Sequence, residues 1–186
     1  MSIIYNLLHE EIFVQTLGFL GITAGLVSFH MKNRRRILVF QIICSTLFAL
    51  QLFLLEAYSG AVINLIGILR GIIYSMKERY PWASSSAVPC IMIALFITTG
   101  LVTVGKEGPV SLLPSLAMTV QSVAQFSENE RRIRFLSIFA SPFWITYHFI
   151  SGSIGGWVGE IFMLISIITS LITYKKSDTD VTVSEK

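Results

Sequence analysis

Residues 33–62, NRRRILVFQIICSTLFALQLFLLEAYSGAV, are matched without gaps 96 residues later by residues 129–158, NERRIRFLSIFASPFWITYHFISGSIGGWV. Nine of the 30 aligned positions are identical, and they include an Asn-x-Arg-Arg-Ile block, a serine and a glycine as well as aliphatic residues. Chains this apolar match by chance at about one position in ten, so about three identities would be unremarkable. We interpret the match as an internal duplication, which in an apolar chain is typical of membrane transporters.

The composition indicates a membrane protein. Hydrophobic residues make up 53% of the 186 residues and charged residues only 13%, with a mean hydropathy of +0.70, whereas soluble domains carry about 25% charged residues. The basic residues lie between apolar runs, so they favour a membrane-orientation signal over nucleic-acid binding. We expect residues 1–186 to form a single integral membrane domain. Its expected partner is the lipid bilayer, and no nucleic-acid partner is expected.

Seven apolar runs predict seven membrane-spanning helices, each close to the roughly 17–25 residues that a bilayer core requires. Helices are expected because lipid leaves no backbone group unpaired. The polar residues 177–186 are predicted to form a disordered cytoplasmic tail. The predicted spans are residues 12–30, 37–55, 58–76, 86–104, 111–127, 134–150 and 157–174.

Lysine and arginine predict the orientation. With the N-terminus outside, 12 basic residues fall on the cytoplasmic side, Lys106 falls outside and Arg70 lies within a span. This bias follows the positive-inside rule and predicts a cytoplasmic C-terminus. Residues 1–11 lack a basic segment and a cleavage site, so no signal peptide is expected. The 12 residues are Lys32, Arg34, Arg35, Arg36, Lys77, Arg79, Arg131, Arg132, Arg134, Lys175, Lys176 and Lys186.

The duplication and the predicted spans together predict a topology. A shift of 96 residues covers four spans, so the two copies have the same orientation in the membrane. The first copy takes residues 12–76 and the second takes 111–174, with the span at 86–104 as a linker helix. Parallel repeats occur in the halves of major facilitator proteins and in SWEETs. We therefore predict an all-α membrane protein with a 3+1+3 arrangement of two parallel three-helix repeats.

Several motifs lie near the ends of the predicted spans, and together they carry a family resemblance. They are the run 28–36 (SFHMKNRRR), Leu54-Leu55, Gly60 and Arg70 in the first half, and Trp144, Tyr147, Gly152-Ser153 and Glu160 in the second. Over nearly the whole chain they resemble the YgjV family of bacterial inner-membrane proteins, and more distantly the SWEET, PQ-loop and PnuC-type transporters. The resemblance implies a bacterial inner (cytoplasmic) membrane location and a SWEET-like fold, and it supplies no substrate.

Asn64 and Glu160 occupy equivalent positions in the two copies. SWEETs use polar residues, typically asparagines, on these two helices, so the resemblance implies that this pair contacts substrate near mid-membrane. The alternative for Asn64 is a packing role, because Gly60, Gly67 and Gly71 share its helix face. A carboxylate within a span is costly and usually functional, so Glu160 is a candidate for substrate binding and proton coupling. The alternative is that Glu160 reaches water near the outer interface.

Four further side chains are candidates. Arg70 could attract anions to the inner vestibule, or it could extend its charge to the cytoplasmic interface. Trp144 and Tyr147 could line a cavity and stack on a substrate, although an interfacial aromatic belt explains Tyr147 and His148 equally well. Pro142, near the middle of the sixth span, is predicted to act as a hinge. Its first-half equivalent is Thr46, so a symmetric proline set is not expected.

The predicted function is translocation of a small polar metabolite by alternating access. No phosphate-binding loop, metal-ligand spacing or nucleophile–base pair occurs in the sequence, so we expect no enzyme activity, no catalytic residue, no cofactor and no metal. The competing hypothesis is a non-transporting membrane scaffold or sensor that binds lipid or a protein partner. The sequence alone names no substrate, coupling ion or oligomeric state.

Overall fold

The computed structural model describes residues 2–31 and 33–184, and all of the secondary structure within them is helical. The all-helical prediction is therefore confirmed. A helical turn at Pro81–Ser84 precedes α4, and a 3-10 turn at Gly108–Ser111 precedes α5. Seven long helices make up the described part of the chain: α1 (Ser2–His30), α2 (Arg34–Leu54), α3 (Tyr58–Ser75), α4 (Ala87–Glu107), α5 (Leu112–Phe126), α6 (Glu130–Ile150) and α7 (Ile154–Ser184).

The helix bounds differ from the predicted spans mainly at the two ends of the chain. α1 begins at Ser2, well before residue 12, and α7 extends to Ser184, through most of the segment predicted as a disordered tail. No glycine or proline follows Gly159, so no residue breaks the helix there. The predicted cytoplasmic positions of Lys32 and Lys186 lie outside the described residues.

Four helical stretches are long and apolar enough to cross a membrane within the described part of the chain: Glu11–Ser28, Arg34–Leu54, Tyr58–Ser75 and Ala87–Phe126. The last of these contains both α4 and α5. Ile154–Thr169 is a shorter apolar helix. The membrane character of the chain is thus confirmed for these stretches, and the crossing of all seven helices stays a prediction.

The ends of α2 and α6 are built alike, at the spacing of the sequence match. Asn33 caps α2 by accepting a 2.8 Å hydrogen bond from the Arg35 N–H, and Asn129 caps α6 by accepting a 2.9 Å bond from the Arg131 N–H. Such caps satisfy N–H groups that the first helical turn leaves without intrahelical partners. The Asn-x-Arg block that recurs in the sequence is therefore a recurring helix start.

The turns that follow these helices are also alike. After α2, Glu56 adopts a left-handed φ of 58°, and after α6 the equivalent residue, Gly152, adopts a φ of 72°. The next backbone N–H bonds back to the helix in both places, from Ala57 to Leu52 and from Ser153 to His148, at 2.9 Å each. Glu56 therefore holds a conformation that usually favours glycine, because the chain must turn there as it does at Gly152.

Six of the helices form a closed ring. Contacts run from α1 to α2 and α3, then to α5, α6 and α7, and from α7 back to α1. The two largest contacts between the halves are α1 with α7 and α3 with α5. Under the 96-residue equivalence, each of them corresponds to the other. The linker helix α4 lies outside the ring and packs against α3 and α5.

The contact between α1 and α7 depends on glycine. A Cβ at Gly155 would lie 2.7 Å from the backbone nitrogen of Phe19 and 2.9 Å from the carbonyl carbon of Gly18. Backbone atoms within a helix cannot move away as a flexible side chain can. A larger residue at position 155 would therefore force these helices apart.

We expect Gly155→Ala to lower the free energy of unfolding by about 1–3 kcal/mol, because the added methyl group overpacks this crossing. Gly105→Ala is the control, since a Cβ at Gly105 meets nothing within 4 Å. It should be neutral or slightly stabilising, because alanine is the better helix former. Denaturant titration of both variants in detergent micelles measures the difference. Equal unfolding free energies would contradict the α1–α7 contact.

Candidate functional site

A cavity of about 30 Å³ lies inside the ring of six helices. That volume has room for about two water molecules. Each helix of the ring contributes to its wall, so the cavity lies between the two halves of the molecule. Its lining residues are Gly25 of α1; Gln41, Cys44, Ser45 and Phe48 of α2; Asn64 of α3; Met118 and Gln121 of α5; Trp144 and His148 of α6; and Glu160 and Met163 of α7.

Three pairs of lining residues are equivalent under the 96-residue shift. They are Asn64 with Glu160, Phe48 with Trp144, and Gly25 with Gln121. The two halves therefore present the same helix faces to the cavity, with different chemistry on each side. Both members of the sequence-predicted pair, Asn64 and Glu160, lie in its wall together with Trp144.

Glu160 is the only acidic or basic residue, histidine aside, among these lining side chains. Its side chain is buried, its carboxyl group interacts with the Ser141 hydroxyl, and Oε2 has no hydrogen-bond partner among the described residues. The ion pairs in the described part of the chain, Arg34 with Glu78 and Lys77 with Glu128, lie elsewhere. This burial excludes the alternative in which Glu160 reaches water at the interface.

Asn64 faces the same cavity from the other half of the molecule. Its Nδ2 donates a 2.9 Å hydrogen bond to the Gly60 carbonyl, one turn earlier in α3. That bond orients the amide and leaves its carbonyl oxygen without a hydrogen-bond donor among the described residues. The two equivalent positions therefore each present an oxygen acceptor, one from an amide and one from a carboxyl group.

Three rings form one wall of the cavity. The His148 ring lies 4.7 Å from the Phe48 ring and is stacked on Trp144 at 5.3 Å, with an interplanar angle of 25°. His148 Nδ1 is buried and has no hydrogen-bond partner among the described residues. His148 thus lies in the protein interior, and the interfacial-belt interpretation is wrong for it.

Tyr147 lies outside the cavity lining, which corrects its predicted position. Its hydroxyl accepts a 2.8 Å hydrogen bond from the Gly60 N–H, lies 2.9 Å from Ser59 Oγ and donates to the Ala57 carbonyl at 3.3 Å. Tyr147 follows Trp144 by three residues on the same face of α6, and its ring lies 6.2 Å from the Trp144 ring. Its hydroxyl, however, reaches the start of α3 and not the cavity lining. Tyr147 is also buried, so it does not belong to an interfacial belt.

These contacts close the end of the ring where α3 begins. The N-cap of α3, Ala57, has no side-chain cap bond, so the first N–H groups of α3 need partners from elsewhere. The Tyr147 hydroxyl of α6 accepts a hydrogen bond from the Gly60 N–H, and the Glu107 carboxylate of α4 accepts a 2.7 Å bond from the Ser59 N–H. We call Ser59, Gly60, Glu107 and Tyr147 the turn-end latch.

Arg70 also lies outside the cavity, contrary to its predicted role. It is 1% exposed, its Nη1 donates a 3.2 Å hydrogen bond to the Met118 carbonyl, and its guanidinium lies 5.4 Å from the centre of the Phe96 ring. Arg70 therefore joins α3, α4 and α5, and it neither extends to the interface nor adds positive charge to the cavity wall. Because Met118 lines the cavity, Arg70 acts on the wall by positioning α5.

Basic residues close the opposite end of the ring. Arg34 donates to the Tyr74 carbonyl at 3.1 Å and to the Gln125 carbonyl at 3.4 Å. Lys77 donates to the Phe126 carbonyl and pairs with Glu128 at 3.0 Å, and its hydrogen bond lowers the pKa of Glu128. We call Arg34 and Lys77 with residues 125–128 the basic-end latch. It joins the first half of the molecule to the second.

Pro142 lies within α6, which runs from Glu130 to Ile150. Proline donates no N–H to the preceding turn, so the helix lacks one backbone bond at this point. Pro142 separates the cavity residues Trp144 and His148 from the first half of α6. Its action as a hinge stays a prediction.

Sequence reasoning assigned no cavity role to Phe48, Gln121 or Cys44. The repeat contains the missing signal, since Phe48 is the equivalent of Trp144 and Gln121 is the equivalent of Gly25. Cys44 carries no such signal, because a cysteine within an apolar span most often acts as a small apolar residue. The described residues contain no group of three or more His, Cys, Asp or Glu placed to hold a metal ion.

A larger groove of about 700 Å³ lies near the turn end, between α1, the end of α2 and the start of α7. Its wall is largely apolar, with Phe13, Leu54 and Ile154 among its residues. No buried polar atom without a partner lies in that wall. The central cavity, where polar side chains from five of the six ring helices converge, is therefore the candidate functional site.

Comparison with known proteins identifies a family. Residues 12–178 match the family model Imp-YgjV, described as a bacterial inner membrane protein. No curated protein and no solved structure matches the chain.

We expect Tyr147→Phe to lower the free energy of unfolding by about 1–3 kcal/mol, because it leaves the buried Gly60 N–H without its partner. Tyr58→Phe is the matched control, since Tyr58 is exposed at the same helix start. It should change the free energy little. Denaturant titration in detergent compares the two, and equal effects would show that the turn-end latch contributes no stability.

Proposed function

Since the chain belongs to the Imp-YgjV family of bacterial inner membrane proteins, we propose that it moves a small polar metabolite across that membrane by alternating access. The central cavity is the proposed substrate site, and the two latches are the proposed gates. The observation that carries the proposal is the cavity wall, where equivalent residues of both halves place partnerless polar atoms inside an apolar bundle.

The proposed architecture is a 3+1+3 arrangement of seven membrane helices in two parallel, SWEET-like repeats. α1–α3 form the first repeat, α4 is the linker and α5–α7 form the second. Four features support it: the 96-residue sequence match, the paired asparagine caps, the paired left-handed turns at Glu56 and Gly152, and the symmetric contacts of the ring. Sites between parallel or inverted repeats are typical of transporters.

Buried polar groups without partners distinguish a binding site from a packed core. Polar atoms buried in a bundle are normally hydrogen-bonded, because leaving one unpaired costs about 1–3 kcal/mol. Glu160 Oε2 and His148 Nδ1 both lack partners beside the cavity. A ligand or water that enters the cavity would supply hydrogen-bond partners to these two atoms. The occupied cavity would therefore avoid the cost of leaving them unpaired.

The closed ends of the ring fit one state of an alternating-access cycle. In the proposed cycle, the turn-end latch and the basic-end latch open in turn, and Pro142 lets α6 bend. Asn64 and Glu160 contact the substrate and Trp144 lines its path. Glu160 is also the proposed proton acceptor if transport is proton-coupled, since it is a buried carboxyl group in a membrane helix.

The proposed orientation places the N-terminus and the turn end outside, and the basic end and the C-terminus in the cytoplasm. The basic-end latch and its neighbouring Arg35, Arg36, Arg131 and Arg132 support it through the positive-inside rule. The proposal includes no enzyme activity and no cofactor.

A packed scaffold or sensor is the competing function, and the small volume of the cavity favours it. The two proposals differ in whether water reaches the cavity wall. A transporter must open its cavity to each side in turn, whereas a scaffold has no need to open. Cysteine accessibility separates them, because a thiol reacts with a water-soluble reagent only as a hydrated thiolate.

We expect cysteines at Asn64 and Glu160 to react with a small membrane-impermeant methanethiosulfonate in a chain in which Cys44 and Cys90 are alanine. Leu65→Cys and Phe162→Cys are the matched controls, since these neighbours face outward from the same helices. They should stay unmodified, because lipid excludes the reagent. Mass spectrometry after labelling from each side of membrane vesicles reads the result.

Modification at positions 64 and 160 with silent controls supports the transporter. If all four positions stay unmodified from both sides, the cavity never opens to water and the packed scaffold is correct. Modification at 65 and 162 as well would instead show that the ring of helices is wrongly assigned.

A further inference from the structure

The charge balance of the central cavity selects a substrate class, an inference that rests on the proposed function. Few charged side chains lie near the cavity: Glu160 lies in its wall, and Arg70 is absent from the wall, bonded to the Met118 carbonyl and placed over the Phe96 ring. We propose that the substrate is a small cation that carries an ammonium group, such as a short primary amine.

The carboxyl group lacks a positive partner within the protein. In the described part of the chain, no lysine or arginine nitrogen lies within 4.0 Å of Glu160, and Oε2 has no hydrogen-bond donor. A buried carboxylate of this kind is normally compensated by a cation and by N–H donors. An ammonium group supplies both in a single group, since it carries one positive charge and three donors.

Asn64, in the wall contributed by the other half, also has an oxygen that lacks a hydrogen-bond donor among the described residues. The Asn64 amide nitrogen is already bonded to the Gly60 carbonyl, so its carbonyl oxygen is the atom left to accept. Asn64 and Glu160 come from different halves of the molecule and line one cavity. An ammonium group between them would bond to both halves at once, whereas an anion there would meet the acceptor oxygens of Asn64 and Glu160.

The remaining wall also suits a cation. Phe48 and Trp144 bring aromatic rings to the cavity, and a cation within about 6 Å of such a ring is attracted by its negative face. The thioether groups of Met118 and Met163 add polarisable surface for a short alkyl chain. The volume of about 30 Å³ limits the occupant of the closed state to a few non-hydrogen atoms.

The inference replaces the anion preference that the sequence suggested. That preference depended on Arg70, whose guanidinium is 1% exposed and engaged between α3, α4 and α5. With Arg70 outside the wall, the cavity holds one acidic side chain and no lysine or arginine.

The test compares three probes of similar size that differ in charge: ethylammonium, ethanol and acetate. Each is added to the detergent-purified full chain at the same ionic strength, set with sodium chloride, and thermal unfolding is measured. A ligand that binds the folded state raises the unfolding temperature in proportion to ln(1 + [L]/Kd), so millimolar probes detect weak binding. We expect ethylammonium alone to stabilise the wild type.

Two variants of the cavity and one control assign the effect. Glu160→Gln keeps the shape and removes the charge, so the apparent affinity for ethylammonium should fall about 100-fold. Glu56→Gln removes an exposed carboxylate outside the cavity and should leave binding unchanged. Asn64→Asp adds a second carboxylate to the wall and should tighten ethylammonium binding. This variant tests the cation class even if Glu160→Gln fails to fold.

Stabilisation by acetate or ethanol in preference to ethylammonium would overturn the cation class and leave the transporter proposal standing. Equal ethylammonium binding in wild type and Glu160→Gln, or no gain in Asn64→Asp, would also overturn it. If no probe binds while cysteines at 64 and 160 are modified, the cation class is wrong and the transporter remains. If those cysteines are silent as well, the transporter proposal itself fails.

Discussion

A carboxyl group that is buried inside a membrane protein without a basic partner is the constraint on which the site depends. Lipid offers no water to compensate Glu160, so the surrounding helices must exclude lipid from it and supply polar neighbours. All six helices of the ring contribute to the cavity around it, and Ser141 interacts with the carboxyl group. Glu160 Oε2 nevertheless has no hydrogen-bond partner among the described residues. A ligand in the cavity would supply one.

Closure of the ring depends on hydrogen bonds that cross between the halves of the molecule. The α3 N-terminus has no cap of its own and takes its partners from Tyr147 and Glu107. At the basic end, Arg34 of the first half donates to the Gln125 carbonyl of the second. These bonds satisfy backbone groups at helix ends that have no intrahelical partner, and they join the two halves at both ends of the ring.

The two halves have similar backbone features but different side chains at equivalent positions. The cavity wall is therefore chemically asymmetric. Three equivalent pairs line the cavity: Asn64 with Glu160, Phe48 with Trp144, and Gly25 with Gln121. The second half carries the acid and the larger aromatic ring. The two halves therefore contribute equivalent positions to the wall, and only the second half places an acidic side chain there.

The sequence by itself determined the membrane class, the helical fold and the equivalence of Asn64 with Glu160. Each follows from composition or from residues at fixed spacing along one chain, which local physics reads directly. Only the tertiary structure decided which way Arg70 and Tyr147 point. A helix bears residues on every face, and an arginine or a tyrosine can either line a cavity or join two helices. The sequence therefore does not tell which role each residue takes. Packing against α4 and the uncapped start of α3 made that choice, and neither partner lies near them in sequence.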